Sequence, residues 1–231
     1  MAPPDQVPSD GQDPASPGVA LSPEARADAA EARALRAEEA LRELQHRAKN
    51  SLQLVISLLR LQHHRIVDPE ARAAYDQTMH RVEVLAVLYR QMHESRADNT
   101  VDLSRYFREV TENALANAPD VRADLKVSVE VESLGTSLYT AMPLGLVVNE
   151  LVTAGARHAY PEEAWMAVRL ESLPSGQARL TVEDNGRGLP PGFDPEQDAS
   201  TMLVEALATQ LGADLDISRD AGTRVQFTMT L

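Results

Sequence analysis

The sequence predicts an α+β protein in two parts: a long helical hairpin that closes a four-helix bundle with a second copy, and an α/β sandwich after it. Three observations carry this expectation. From Ser22 to about Arg65 neither Gly nor Pro interrupts the chain beyond the opening Pro23, and apolar or small residues recur every seven positions. Asp68-Pro69-Glu70 then restarts a helix with the same chemistry. Beyond Asp98-Asn99 the pattern breaks into short alternating runs interleaved with helical ones, as in helices layered on a mixed or antiparallel sheet.

Residues 1–21 hold five of the 14 prolines and almost no large apolar side chains. Such a stretch cannot bury enough surface to offset its ordering entropy, so it is expected to be a disordered tail. Ser22-Pro23-Glu24 then supplies a hydroxyl N-cap, a proline in the first turn and an acid at the positive dipole end. Ala34, Leu41, Ala48 and Val55, with Ala37, Leu44, Ser51 and Leu58, form two stripes of one seam. On the second helix Tyr75, Thr78, Val82, Leu85, Tyr89 and Met92 follow a 3,4 spacing along one face. A lone hairpin leaves such a seam half exposed, and two hairpins from two chains cover it; a homodimer follows. Residues 22–98 are therefore read as the dimerising hairpin and 99–231 as the second domain.

In that domain Asp102 is placed to cap a helix carrying Leu103, Tyr106, Phe107 and Val110. A strand is expected at Leu125–Val131, a helix at Pro143–His158, and strands at Met166–Leu173 and Ala178–Val182. A loop with Gly186, Gly188, Pro190, Pro191 and Gly192 leads to a helix at Met202–Leu211. Two last strands, Asp214–Ser218 and Arg224–Leu231, pair across Asp220-Ala221-Gly222.

Composition narrows the function. The 231 residues carry 22 Lys+Arg against 35 Asp+Glu, a formal net charge of −13. An acidic surface repels phosphate backbones and anionic lipid heads, which argues against nucleic-acid and membrane-surface binding. With no cysteine there are no disulfides, thiolate metal sites or thiol nucleophiles. No apolar run approaches the roughly 18 residues of a membrane span, and no secretory signal opens the chain, so the expected location is cytoplasmic.

Four segments in register point further. Glu43-Leu44-Gln45-His46-Arg47-Ala48-Lys49-Asn50-Ser51-Leu52-Gln53 resembles the phosphoacceptor helix of sensor histidine kinases, in the subgroup written H-R-x-K-N-x-L-Q, sister to the HWE kinases. Asn149-Glu150-Leu151-Val152-Thr153 is similar to the start of that family's N box. Asp184-Asn185-Gly186-Arg187-Gly188 matches its D-x-G-x-G box, and Gly222-Thr223 its Gly-Thr before the last strand. The HWE sisters' W-x-E is absent, the equivalent strand reading Leu180-Thr181-Val182-Glu183. The resemblance spans residues 30–231 and implies a Bergerat-type (GHKL) sandwich, a bacterial signalling circuit and a response-regulator receiver domain as partner.

On the heptad, His46 falls opposite the seam, with Asn50 and Gln53 one and two turns later on the same face. An exposed neutral imidazole is a competent nucleophile toward phosphorus. A nearby amide is what positions water for in-line attack on an acyl phosphate. Glu43, one turn earlier, is placed either to accept a ring proton or simply to face solvent.

Two departures from the family pattern matter. Where the resemblance implies an Mg²⁺-holding Asn, this chain has Ala154, whose methyl cannot ligate a hard cation. The glycine-rich phosphate box is replaced by Asp198-Ala199-Ser200-Thr201-Met202-Leu203, with no glycine between Gly192 and Gly212. Asp184, the family's adenine reader, survives. The resulting expectation is a two-component protein with a degenerate ATP site that holds no metal. Its chemistry is phosphotransfer through His46, or aspartyl-phosphate hydrolysis aided by Asn50 and Gln53, with Mg²⁺ supplied by the receiver. Only the tail precedes the hairpin, so input is expected from a partner or from expression level. Two alternatives stand beside it. One is an active ATP-dependent kinase with an atypical Mg²⁺ site through Glu150, nucleotide then resting on Asn149, Glu150, Asp184, Gly186 and Gly188. The other is a non-catalytic receiver-binding scaffold. Adjacent His63-His64 point apart and make a poor metal pair. His80 and His93 read as surface or interface residues, Trp165 as a core or dimer anchor, and His158 as a helix-terminal cation.

Overall fold

The computed structural model describes residues 22–94, 100–118, 121–122, 124–156, 162–188, 198–219 and 222–231. The chain divides into two units, residues 1–41 and 42–231. One helix, α1 (Pro23–His63), contributes to both. At its start the Ser22 hydroxyl accepts from the Ala25 N–H at 3.2 Å, the cap that the sequence announces. The described residues of the first unit are mostly exposed, Leu35 among them.

In the second unit, α2 (Pro69–Glu94) opens with Asp68 Oδ1 accepting from the Ala71 N–H at 2.7 Å. Tyr75 donates its hydroxyl to the Leu59 carbonyl at 3.1 Å, and Arg60 meets Glu83 at 2.8 Å, tying the two helices together. A second face of α2 is buried in the single chain, beside a seam stripe that stays partly exposed, as in any lone hairpin. Of the stripe's members only Met92 is fully buried; the buried face is His80, Val84, Val87, Leu88, Gln91 and Met92. A 3,4 spacing fits more than one face of an apolar helix, and here α2 gives one face to the sandwich as well as one to the hairpin. On α1, Leu44, Leu54, Val55, Leu58 and Leu61 stay exposed.

The remaining elements are β1 (Val101–Asp102), α3 (Leu103–Asn117), β2 (Lys126–Val131), β3 (Gly135–Thr136), α4 (Leu138–Ala156), β4 (Trp165–Ser172), β5 (Ala178–Asp184), α5 (Ala199–Leu211), β6 (Asp214–Ser218) and β7 (Thr223–Met229). The five-stranded sheet runs β2-β4-β5-β7-β6; β2 and β4 are parallel and the other pairs antiparallel. Parallel neighbours need a crossover, and α4 supplies it. The two-residue β1 and β3 pair separately, and sequence pattern gave no sign of so short a bridge.

Asp102 caps α3 as expected, accepting from the Ser104 N–H at 2.9 Å. The α4 boundary is corrected: the helix begins at Leu138, with Pro143 inside it. The proline removes only the bond to Tyr139, which lies in the exposed first turn, and the Ser137 carbonyl starts the helix by accepting from Ala141 at 2.9 Å. Gly212 ends α5 in the left-handed region at φ 59°, with its N–H returned to the last turn. The β6–β7 pair forms as predicted, residues 220–221 of its turn lying outside the described residues.

The core lies between sheet and helices. Tyr106, Phe107 and Val110 of α3, Leu144, Val147, Val148 and Val152 of α4, and Leu180 and Phe227 of the sheet are all essentially inaccessible. Each large apolar side chain contributes about 1.5–3 kcal/mol on burial. Gly145 is needed where α4 crosses Tyr106, since a Cβ there would sit 2.0 Å from the phenolic oxygen. Val84, Val87, Leu88 and Met92 of α2 join the same core.

On the opposite face of the sheet, Glu183 is gripped by Arg169 and by Arg224 (2.7 Å), and Arg169 also reaches Glu130 at 3.2 Å. Burial alone would raise the Glu183 pKa, but the two guanidiniums outweigh it and hold the carboxyl below its ordinary 4.5. A depressed carboxylate stabilises the fold above its unfolded pKa, and that contribution is lost as pH falls through the folded value. Urea midpoints should therefore drop below about pH 4.5, with Glu183→Gln flattening that part of the curve; an unchanged slope in the variant would remove Glu183 as a cause.

Candidate functional site

Two separate sites emerge. On α1, His46, Asn50, Gln53 and Glu43 are all exposed. The Asn50 amide lies 3.3 Å from His46 Nδ1, the i,i+4 contact that the spacing predicts. Glu43 pairs with Arg47 one turn on. Gln53 opens onto a groove of about 600 Å³ between α1, α2 and α3, whose walls include Lys49, Arg60, Arg90, Glu109 and Asn113. Arg90 is paired there with Glu109, which also accepts from Gln91 at 3.1 Å.

The second site is a cavity of about 390 Å³ between α4, α5, the ends of β5, β6 and β7, and one side chain of α2. Val182, Val204, Val225, Leu151 and Ile217 give it apolar walls. Asp184 closes β5 at one end and is buried; its Oδ1 accepts from the Gly186 N–H at 2.7 Å. Gly222, at φ 121°, lets β7 pass so close that a Cβ would lie 1.9 Å from the Asp184 carbonyl oxygen. Gly188 is likewise left-handed at φ 72°. The hydroxyl oxygens of Thr153 and Thr223 are buried without a hydrogen-bond partner among the described residues, and both residues line the cavity.

The other end is crowded with polar groups that satisfy one another. Glu150 is 2% exposed. Arg81 of α2 grips it with two bonds, Nε to Oε1 at 3.0 Å and Nη2 to Oε2 at 2.8 Å. Gln77 donates to Oε2 at 3.1 Å and Ser200 at 2.8 Å, while buried Asn149 donates to Oε1 at 3.3 Å. The hydrogen bond that Arg81 donates to Glu150 raises the Arg81 pKa, against the opposing effect of burial. Asp198 caps α5 by accepting from the Thr201 N–H at 2.7 Å, and so occupies the helix end where an anion would otherwise rest. Ala154 lines the same end with its methyl group.

Sequence reasoning placed Asp184, Gly186, Gly188, Glu150 and Asn149 here, of which Asp184 and Glu150 line the cavity; it held Thr153, Thr223 and Ser200 only as members of the matched segments and missed Gln77 and Arg81. The i,i+4 spacing of Gln77 and Arg81 puts them on one face, but nothing local names the acid they meet. His80 is buried among Val84, Val110, Asn113 and Asn149 rather than at a surface. Trp165, 38% exposed, is not a core residue; its backbone N–H is held instead by Asn185 Oδ1 at 2.8 Å. His63 faces Asp76 at 3.0 Å. The His93 side chain, His158, and residues 189–197 lie outside the described residues. No metal-holding cluster of His, Asp or Glu occurs among the described residues, and no described helix is long and apolar enough to cross a membrane.

Residues 43–118 match a family model described as histidine kinase, and residues 139–231 match the histidine kinase-, DNA gyrase B- and HSP90-like ATPase. The chain is 32% identical over 208 residues to blue-light-activated histidine kinase 2 of Erythrobacter litoralis, covering 86% of this chain and 59% of that protein. It is 35% identical over 201 residues to the sensor histidine kinase PdtaS of Mycobacterium tuberculosis, covering 83% and 39%. It therefore spans little more than half, or less, of the curated relatives it matches. The solved histidine kinase domain of the Erythrobacter litoralis EL346 blue-light activated histidine kinase superposes with a TM-score of 0.62 at 30% identity, covering 82% of this chain and 92% of that one. A helical region followed by a GHKL-type α/β domain with a mixed sheet, carrying these motifs, belongs to the sensor histidine kinase family of two-component signalling.

Proposed function

We propose that this chain acts on a response-regulator receiver domain through His46, by phosphotransfer, by hydrolysis of the receiver's aspartyl phosphate, or both, and without autophosphorylation from ATP. One observation carries the reading. The end of the cavity where a kinase would hold Mg²⁺ and phosphates has a methyl at Ala154, and its buried acid, Glu150, is already bonded to Arg81, Gln77 and Ser200. A divalent cation there would have to displace a bidentate arginine. The residues therefore do not fit a metal–triphosphate, whereas His46 and Asn50 keep the exposed geometry a visiting receiver needs.

In the transfer, the O–P bond of the receiver's acyl phosphate breaks as an N–P bond forms at His46 Nε2. That nitrogen needs its lone pair, so Nδ1 keeps the proton; the Asn50 amide, whose nitrogen faces Nδ1 at 3.3 Å, turns its oxygen there to accept the Nδ1–H hydrogen bond. Mg²⁺ held by the receiver would supply the charge that neutralises the phosphoryl oxygens. In the hydrolytic branch the Asn50 and Gln53 amides orient water in line instead. The exposed Leu44, Leu54, Val55, Leu58 and Leu61 support a homodimeric bundle presenting two such faces, and the charge and apolar pattern support a cytoplasmic site of action.

The test incubates the chain with a phosphorylated receiver, and separately with labelled ATP and Mg²⁺. Label should move from receiver to chain, or leave it as inorganic phosphate; His46→Ala should slow transfer at least about 100-fold. Labelling from ATP that is lost in His46→Ala would make the chain a kinase. Receiver binding with neither transfer nor hydrolysis would make it a scaffold.

A further inference from the structure

We infer that the Lys49 ammonium is the cation this chain brings to the phosphoryl group as it passes between the receiver's aspartate and His46. It contacts a non-bridging oxygen during the transfer and stays with the group afterwards. The inference rests on the proposed chemistry of His46 and gives a role to a residue that this reading leaves idle.

Helix geometry sets the position. At about 100° per residue, Lys49 lies about 60° to one side of His46 and Asn50 about 40° to the other. Gln53 falls between those two directions. Residues three and four apart are neighbours on a helix surface, so ammonium and amide flank the imidazole. Lys49 is half-buried, and with Gln53 it lines the groove of about 600 Å³ between α1, α2 and α3. A lysine so placed lays its stem along the wall and keeps its charged end in the open groove.

The neighbouring cations are engaged. Arg47 pairs with Glu43, Arg60 with Glu83 and Arg90 with Glu109, and Arg42 also has a partner. The Lys49 side chain has no ion pair or hydrogen bond among the described residues. Three cations and two acids line the groove, so its surplus is positive in a chain whose net charge is −13. The two acids are those already held by Arg60 and Arg90, which lowers the repulsion an arriving phosphoryl group would meet.

The transferring group spreads its negative charge over three equatorial oxygens, so placement and charge govern the rate. As the O–P bond to the aspartate breaks and the N–P bond to His46 Nε2 forms, the bonding pair returns to the aspartate carboxylate. The imidazole takes up the positive charge with its Nδ1 proton kept, and the phosphoryl group parts from the receiver and its Mg²⁺. Lys49 keeps its proton throughout and stands on the His46 side before and after the step. Both the rate of transfer and the share of phosphate resting on His46 therefore depend on its charge.

Single-turnover transfer from a labelled phosphoreceiver, over a range of concentrations, tests this in the full chain. Lys49→Met keeps the stem without the charge and should slow transfer at saturation at least about 30-fold, with half-saturation within about threefold of wild type. At equilibrium it should also move label from His46 to the receiver by at least about tenfold. Lys49→Arg should return the rate to within about fivefold of wild type, since a cation is restored. If wild type releases phosphate without keeping label, release is the rate compared. A rise in half-saturation with the saturated rate unchanged would make Lys49 a docking residue and overturn the inference. Equal losses in the Met and Arg variants, with a lowered urea midpoint in both, would make its role structural and overturn it too. Lys49→Met matching wild type overturns it while the reading of His46 stands. If wild type neither takes label nor releases phosphate, that reading falls and the inference falls with it.

Discussion

Arg81→Ala is expected to destabilise the chain by about 3 kcal/mol, the lower part of the range for removing one partner of a buried ion pair. The lower part applies because Arg81 is itself 28% exposed, while Glu150 is 2% exposed. The variant leaves a carboxylate on the buried face of α4 with only the neutral donors Gln77, Ser200 and Asn149. Desolvation is then opposed by three hydrogen bonds and no cation. Urea unfolding measures the loss directly. Arg81→Met combined with Glu150→Leu should restore most of it, since an apolar pair of similar volume removes the desolvation cost along with the attraction. A single variant within about 1 kcal/mol of wild type would mean that water in the adjacent cavity solvates Glu150.

Gly222→Ala should be comparably damaging, by about 3 kcal/mol or more, for two reasons acting together. At φ 121° an L side chain is strained whatever its surroundings. The added Cβ would also sit 1.9 Å from the Asp184 carbonyl and 2.9 Å from the Asn185 Cα, so backbone must move. The displaced backbone is the β5–β7 end where Asp184 faces Thr223, and the cavity should lose its shape with it. Gly176→Ala is the control, being left-handed at φ 79° with nothing within 4 Å of its Cβ; it should cost about 1 kcal/mol. Equal thermal shifts in the two variants would show that strain alone matters and that the close approach relaxes freely.

The contrast bears on what the Gly-Thr step is for. In sequence it was legible only through resemblance. In the fold, the glycine lets a strand pass over the turn that holds Asp184, and the threonine brings a hydroxyl to the same cavity. The Arg81–Glu150 pair was not legible at all: the partners stand 69 positions apart, and neither neighbourhood advertises the other.

Local chemistry in the sequence determined the helix starts at Ser22-Pro23, Asp68-Pro69 and Asp102, the αL stop at Gly212, and the exposed face with His46 four residues before Asn50. Each depends on contacts within one or two turns, so spacing suffices. The α4 start was misplaced, and the second, buried face of α2 went unread, because both are chosen by what packs against them. Pro143 is tolerated inside α4 because it falls near an exposed end, and α2 buries Val84, Val87 and Leu88 because α3 and α4 lie beside it. The Ala154 substitution was visible in sequence as a lost ligand. Only the tertiary structure decided what became of that end of the cavity, since it alone brings Gln77 and Arg81 across from α2 to take the buried acid.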